Sequence, residues 1–219
     1  MSIATRLDKL RATLPEGVEL VAVSKFHPAE RLMEAYRAGQ RVFGESRPQE
    51  MAAKHDELPA DIRWHMIGHL QTNKVKMIAP FVARIDSVDS ARLIDEIDRQ
   101  ALRCGRCIEI LLEVHVADEQ TKSGWDIDDL RDYIASGALT GKSGIRVRGL
   151  MSIATNTDDE QIIRRDFGRV QALFEEFRPL FGSDFDTLSL GMSDDWPLAI
   201  EYGSTAVRIG TAIFGAREY

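Results

Sequence analysis

Eight short apolar runs, each followed by a stretch with helical spacing, constrain this chain more than any other feature. The runs fall at residues 20–25, 41–43, 62–67, 84–87, 108–116, 146–151, 185–190 and 206–209. Between them, apolar positions recur every three or four residues at 29–38, 48–58, 72–79, 90–103, 126–135 and 157–181. An amphipathic stretch at 3–13, with Ile3, Leu7 and Leu10 on one side, precedes the first run. Strands separated by helices pair in parallel, because only a crossover can return the chain to the same edge of the sheet. Eight such units in 219 residues lie near the lower end of what a (β/α)8 barrel needs. A doubly wound open sheet uses fewer strands and shows a glycine-rich phosphate loop after its first strand. The turn at 24–28 carries no G-x-G-x-x-G, so the expected fold is an α/β single barrel of the TIM type. No repeat, linker or low-complexity tract divides residues 1–219, which predicts one domain.

Charge narrows the function classes. A net charge of -7 argues against a nucleic-acid-binding surface, and no basic run contradicts it. Cys104 and Cys107 have C-x-x-C spacing, but no second Cys or His pair completes a metal site. The expectation there is a structural turn and no metal. The sequence shows no signal-peptide pattern and no apolar run long enough to span a bilayer, so a soluble, cytoplasmic protein is expected. No exposed apolar stripe marks an interface, and a monomer is the expectation.

In such a barrel the residues just after each strand face one another across one mouth. Here they include Lys25, Ser46, His69, His115, Met151, Ser193 and Thr211. A lysine whose stem leaves a dry strand loses its proton more readily, and a neutral amine condenses with an aldehyde. A solvated loop lysine is the alternative. The segments from Gly191 to Trp196 and from Gly210 to Gly215 each place glycine beside hydroxyl groups, after the seventh and eighth strands. That is where barrels hold phosphate on backbone N–H groups, and Ser193, Ser204 and Thr211 can add hydroxyl donors. Helix capping by Ser193 and Asp194 is the simpler reading. Arg208 stands between Val207 and Ile209 inside the last strand and needs an acceptor if it points inward. A pyridine nitrogen would serve, and so would Glu201 or Asp186.

Several stretches together resemble the pyridoxal phosphate homeostasis proteins. They are Ala22-Val23-Ser24-Lys25, Phe43-Gly44-Glu45, Trp64 through Lys74, Lys122-Ser123-Gly124, Arg148-Gly149-Leu150-Met151, Leu188 through Asp195, and Val207 through Gly215. The resemblance implies an alanine-racemase-type barrel with pyridoxal phosphate held as a Schiff base on Lys25. It implies that Ser193, Gly210 and Thr211 hold the phosphate, that Arg208 faces the pyridine nitrogen, and that Met151 and His69 lie near the ring. The family usually reads Gly-Glu-Asn after the second strand; this chain has Ser46, shorter and without the amide.

The implied role is to carry and buffer pyridoxal phosphate, with pyridoxal-phosphate-dependent apo-enzymes as recipients and no robust catalysis. Racemisation needs a base on each face of the substrate. Alanine racemases draw the second from a tyrosine in an added β-domain, and none is expected here. A weak racemase recruiting His69 or His115 is the alternative, and a cofactor-free aldolase using Lys25 is a third reading. Lys122 offers a second amine for cofactor loading, against the plainer reading of a solvated loop lysine.

Overall fold

A computed structural model describes residues 1–118 and 123–215. Its strands are β1 (Glu19–Val23), β2 (Val42–Glu45), β3 (Arg63–Met66), β4 (Arg84–Val88), β5 (Ile108–Val114), β6 (Ile145–Ser152), β7 (Thr187–Ser189) and β8 (Ala206–Ile209). All pair in parallel and in chain order, and β8 returns to β1 through Val21–Arg208 and three further pairs, closing the barrel. The helices are α1 (Ile3–Thr13), α2 (Ala29–Arg37), α3 (Pro48–Glu57), α4 (Val75–Ile78), α5 (Ala91–Arg103), α6 (Ile127–Ala135), α7 (Glu160–Phe181), α8 (Trp196–Glu201) and α9 (Thr211–Phe214).

Boundaries move where local chemistry overrides the apolar pattern. The stretch expected as one helix at 72–79 is a 3-10 turn at Thr72–Lys74 followed by α4. The longest helix starts three residues later than expected because Asp159 caps it, accepting from Gln161 N–H at 2.9 Å. β7 is only three residues long, since side chains replace ladder bonds beside it. Thr205 Oγ1 accepts from Leu188 N–H at 2.9 Å, and Ser204 Oγ accepts from Leu190 N–H at 3.2 Å.

Two layers with opposite chemistry result. Leu20, Ala22, Leu150, Leu188, Val207 and Ile209 join the apolar cluster beneath the helices. The interior carries charge. Arg84 reaches Asp86 at 2.7 Å and Glu19 at 3.0 Å; Glu19 meets Arg63 at 3.4 Å; Glu109 meets Arg148 at 2.9 Å, and Arg148 meets Asp186 at 2.6 Å. Arg84 and Asp86 are buried at the N-terminal end of the barrel, opposite the mouth, and the others run outward from them to the partly exposed rim. His65, fully buried 4.0 Å from Asp86, is pushed down to about 3 by burial and by Arg84, so it stays neutral. Gly149 sits beside the register shift where β5 partners change from Val147 to Gly149. Its φ is +154°, and a Cβ would fall 1.7 Å from the Thr187 carbonyl, so only glycine fits.

Candidate functional site

A cavity of about 240 Å³ opens at the C-terminal ends of the strands. Lys25 enters it from the turn after β1, Arg208 from within β8, Ser193 from the loop after β7, and Gly210 with Thr211 from the loop after β8. Five residues singled out from sequence therefore meet at one wall. Four others stand elsewhere. Met151 is fully buried in β6, paired by register with Glu113 and Ser189. The side chain of His69 is 62% exposed and hydrogen-bonds Asp89 at 2.9 Å. Ser46 is half-buried at the rim, where its backbone leaves Gly68 no room for a Cβ. Ser204 is buried in the crossover to β8, its hydroxyl 2.9–3.2 Å from the carbonyls of Leu188, Leu190 and Ala206. Lys122 lies outside the described residues.

The loops are shaped by close approach. Gly191 has φ of +86°, and a Cβ would press to 2.7 Å from Ala199 and 2.8 Å from the Trp196 backbone, so the loop folds tightly onto α8. Asp195 Oδ1 accepts from Met192 N–H at 2.6 Å and fixes the turn before α8. A Cβ on Gly210 would stand 3.1 Å from the Val23 carbonyl, so the last loop runs directly against the end of β1.

Arg208 is almost fully buried and is held by neutral acceptors. One terminal nitrogen donates to Ser189 Oγ at 2.6 Å and Ser189 O at 2.9 Å; the other donates to Ser152 O at 2.9 Å. Neither acid weighed as a partner reaches it. Glu201 pairs with Arg164 at 2.7 Å, and Asp186 pairs with Arg148. Burial lowers the guanidinium from its ordinary value, with Asp86, Asp195 and Glu113 acting in the opposite sense.

Sequence reasoning missed three sets of buried charged groups inside or beside the barrel. Lys54 on α3 lies under the Lys25 turn, 2.7 Å from both Glu45 and Glu50. Its signal was available: Lys54 continues the spacing of Pro48 and Met51, the other buried residues of α3. Asp86 and Arg84 alternate within a strand buried throughout, which marks them as interior. Glu113 on β5 is buried, and its carboxyl is pushed up to about 7 by burial, while Ser123 Oγ, at 3.0 and 3.1 Å from its two oxygens, pulls it down. Cys104 and Cys107 are exposed free thiols, and no cluster of three potential metal ligands occurs among the described residues.

This barrel, with a lysine, two glycine-hydroxyl loops and a buried arginine at its mouth, falls in a defined class. The family model for the alanine racemase N-terminal domain matches residues 1–218. The alanine racemase of Bartonella henselae aligns with a TM-score of 0.72 over 99% of this chain and 60% of its own, at 16% identity, a likeness of fold. Much nearer are the pyridoxal phosphate homeostasis proteins, and the chain belongs to that family. It is 38% identical to the Pasteurella multocida member, covering 95% of this chain and 91% of that protein. It is 39% identical to the Escherichia coli K12 member, covering 94% and 88%. PipY of Synechococcus elongatus, solved with pyridoxal phosphate bound, superposes with a TM-score of 0.90 at 40% identity, over 98% of this chain and all of PipY.

The cavity suits that cofactor. It has an amine for the aldehyde, hydroxyls and a close-approaching backbone for the phosphate, and a guanidinium for the ring nitrogen.

Proposed function

We propose that this chain binds pyridoxal phosphate covalently through Lys25 and carries and buffers it for apo-enzymes that need it, as a cytoplasmic monomer. The observation behind this reading is the convergence of Lys25, Arg208, Ser193, Gly210 and Thr211 on one cavity. When bound, pyridoxal phosphate supplies an aldehyde that a lysine amine captures reversibly. Lys25 provides the amine. Ser193 and Thr211 provide hydroxyls to phosphate oxygens beside the Gly210 backbone. Arg208, fixed by Ser189 and Ser152, would meet the ring nitrogen with a guanidinium and so disfavour its protonation.

That last feature favours holding over turnover, since an unprotonated ring is a weak electron sink. Neither histidine weighed as the second base of a racemase lines the cavity: His69 is turned to solvent on Asp89, and His115 is absent from the lining. Among the described residues no helix is long and apolar enough to cross a membrane.

The test is visible absorbance of the purified protein after adding pyridoxal phosphate, then borohydride reduction and peptide mass mapping. A chromophore trapped on Lys25, lost in Lys25→Ala and without turnover of a panel of amino acids, is the expected result. Turnover would favour the racemase. A colourless protein that takes up no added pyridoxal phosphate would sink the reading.

A further inference from the structure

Lys25 is flanked on both sides by residues tied to one ionic cluster, buried at Glu45 and Lys54 and half-buried at Glu50. On one side, the Ser24 carbonyl accepts from Lys54 Nζ at 2.9 Å, and Ser24 Oγ donates to Glu45 Oε1 at 2.6 Å. On the other, Phe26 N–H donates to Glu50 Oε1 at 2.7 Å. Lys54 joins the two halves, reaching Glu45 Oε1 and Glu50 Oε1 at 2.7 Å each. Glu45 is fully buried, and burial raises its carboxyl against the pull of Lys54.

Two features show that the cluster does more than hold α3 to the barrel. Phe26 is the only non-glycine residue with positive φ among the described residues, at 68°. That region is unfavourable for a side chain and persists only where the surroundings impose it. A buried ion pair is also a poor device for stability, because an apolar replacement of similar volume often serves as well. α3 already buries Met51 three residues before Lys54. What the cluster does that an apolar contact would not is set the backbone at residues 24–26.

We infer that Glu45, Lys54 and Glu50 are positioning residues for Lys25, clamping the peptide groups before and after it so that its amine is presented to the cavity at a fixed angle. The inference rests on Lys25 being the attachment point. In that condensation, neutral Nζ adds to the aldehyde carbon, a C=N bond forms, and the carbonyl oxygen leaves as water with the two amine protons. Orientation of the attacking atom governs such a step. It does not govern how the loops after β7 and β8 receive a phosphate, so capture and phosphate binding separate.

Two probes read them apart: pyridoxal 5′-phosphate, and pyridoxine 5′-phosphate, which carries an alcohol in place of the aldehyde. Glu50→Ala removes the acceptor for Phe26 N–H and leaves Lys54 paired with Glu45. It should slow capture of pyridoxal 5′-phosphate at Lys25 at least tenfold, followed by absorbance and borohydride trapping. Its affinity for pyridoxine 5′-phosphate should stay within twofold of the unsubstituted chain. Glu50→Gln retains an acceptor oxygen and should restore capture. Unchanged capture in Glu50→Ala overturns the inference, as does parallel loss of both probes, which would mark a merely structural role. If the unsubstituted chain traps nothing on Lys25 while still binding pyridoxine 5′-phosphate, the attachment reading falls first and takes this inference with it.

Discussion

Replacing Glu113 with glutamine should make the protein more stable at pH 8 than the unsubstituted chain, while leaving the two alike near pH 4.5. Burial holds the folded carboxyl near 7 against an ordinary value of 4.5; Asp89 raises it further, and Ser123, Arg208 and His69 lower it. Below 4.5 the group is protonated both folded and unfolded and contributes nothing. Between 4.5 and 7 the unfolded chain releases the proton and the fold retains it, so stability falls as pH rises, by about 1.4 kcal/mol per pH unit. Above 7 both states are ionised, and the full penalty of about 3 kcal/mol is present. Glutamine stays neutral and keeps an oxygen for the Ser123 hydroxyl, so it avoids this dependence. Urea unfolding of both proteins at pH 4.5, 6, 7 and 8 measures the gap, and titrating groups that do not interact with Glu113 cancel in the difference. A gap that widens by about 3 kcal/mol is expected from the linkage. Parallel stability curves would refute the reasoning, showing that Glu113 is hydrated or ionised in the fold.

Ser123→Ala removes the hydroxyl that lowers Glu113, so the same pH-dependent loss should move to higher pH; an unmoved transition would show that this hydrogen bond does not form. Gly149→Ala drives a Cβ to 1.7 Å from the Thr187 carbonyl, where backbone cannot yield. It should lose about 3 kcal/mol or more in urea unfolding, at or beyond the usual range for overpacking, and an unchanged midpoint would contradict the close approach of β6 to β7. Gly210→Ala needs only a few tenths of an ångström from the Val23 carbonyl. It should fold normally by circular dichroism and bind pyridoxal phosphate about tenfold more weakly, a change of about 1.4 kcal/mol, read by absorbance titration. Undiminished affinity would remove the Gly210 backbone from the phosphate cradle.

The barrel and its mouth were legible for one reason: strand order in a βαβ repeat is also spatial order, so knowing where each strand ends locates the mouth. Lys25, Ser193, Gly210 and Thr211 met because each follows a strand, and Arg208 joined them from inside the last one. Ser204 stands away from the cavity because a hydroxyl near a glycine says nothing about which acceptor it has, and here the backbone of the β8 crossover claims it. His69 stands outside the cavity because leaving a strand toward the mouth does not fix a side chain inward; Asp89 holds it at the surface. Lys54 and Glu50, on α3, were hidden by the habit of reading charge on a helix as solvated. The apolar run of β5 concealed Glu113 in the same way: inside a barrel closed at eight strands, a run buried on both faces can still turn one of them toward ions.

The charged interior has a consequence for synthesis and folding. Glu19, on the first strand, finds its partners on Arg63 and Arg84, and the barrel shuts only when β8 pairs with β1. Every nascent or partly opened barrel therefore has a gap through which water reaches the inner wall. Were that wall apolar, each such species would present a ready surface for another chain. With Glu19, Arg63, Arg84, Asp86 and Glu109 on it, an unfinished barrel shows hydrated charge instead. Closure then trades water for ion pairs that only the correct strand order can assemble, so a misordered barrel is left with charges it cannot match.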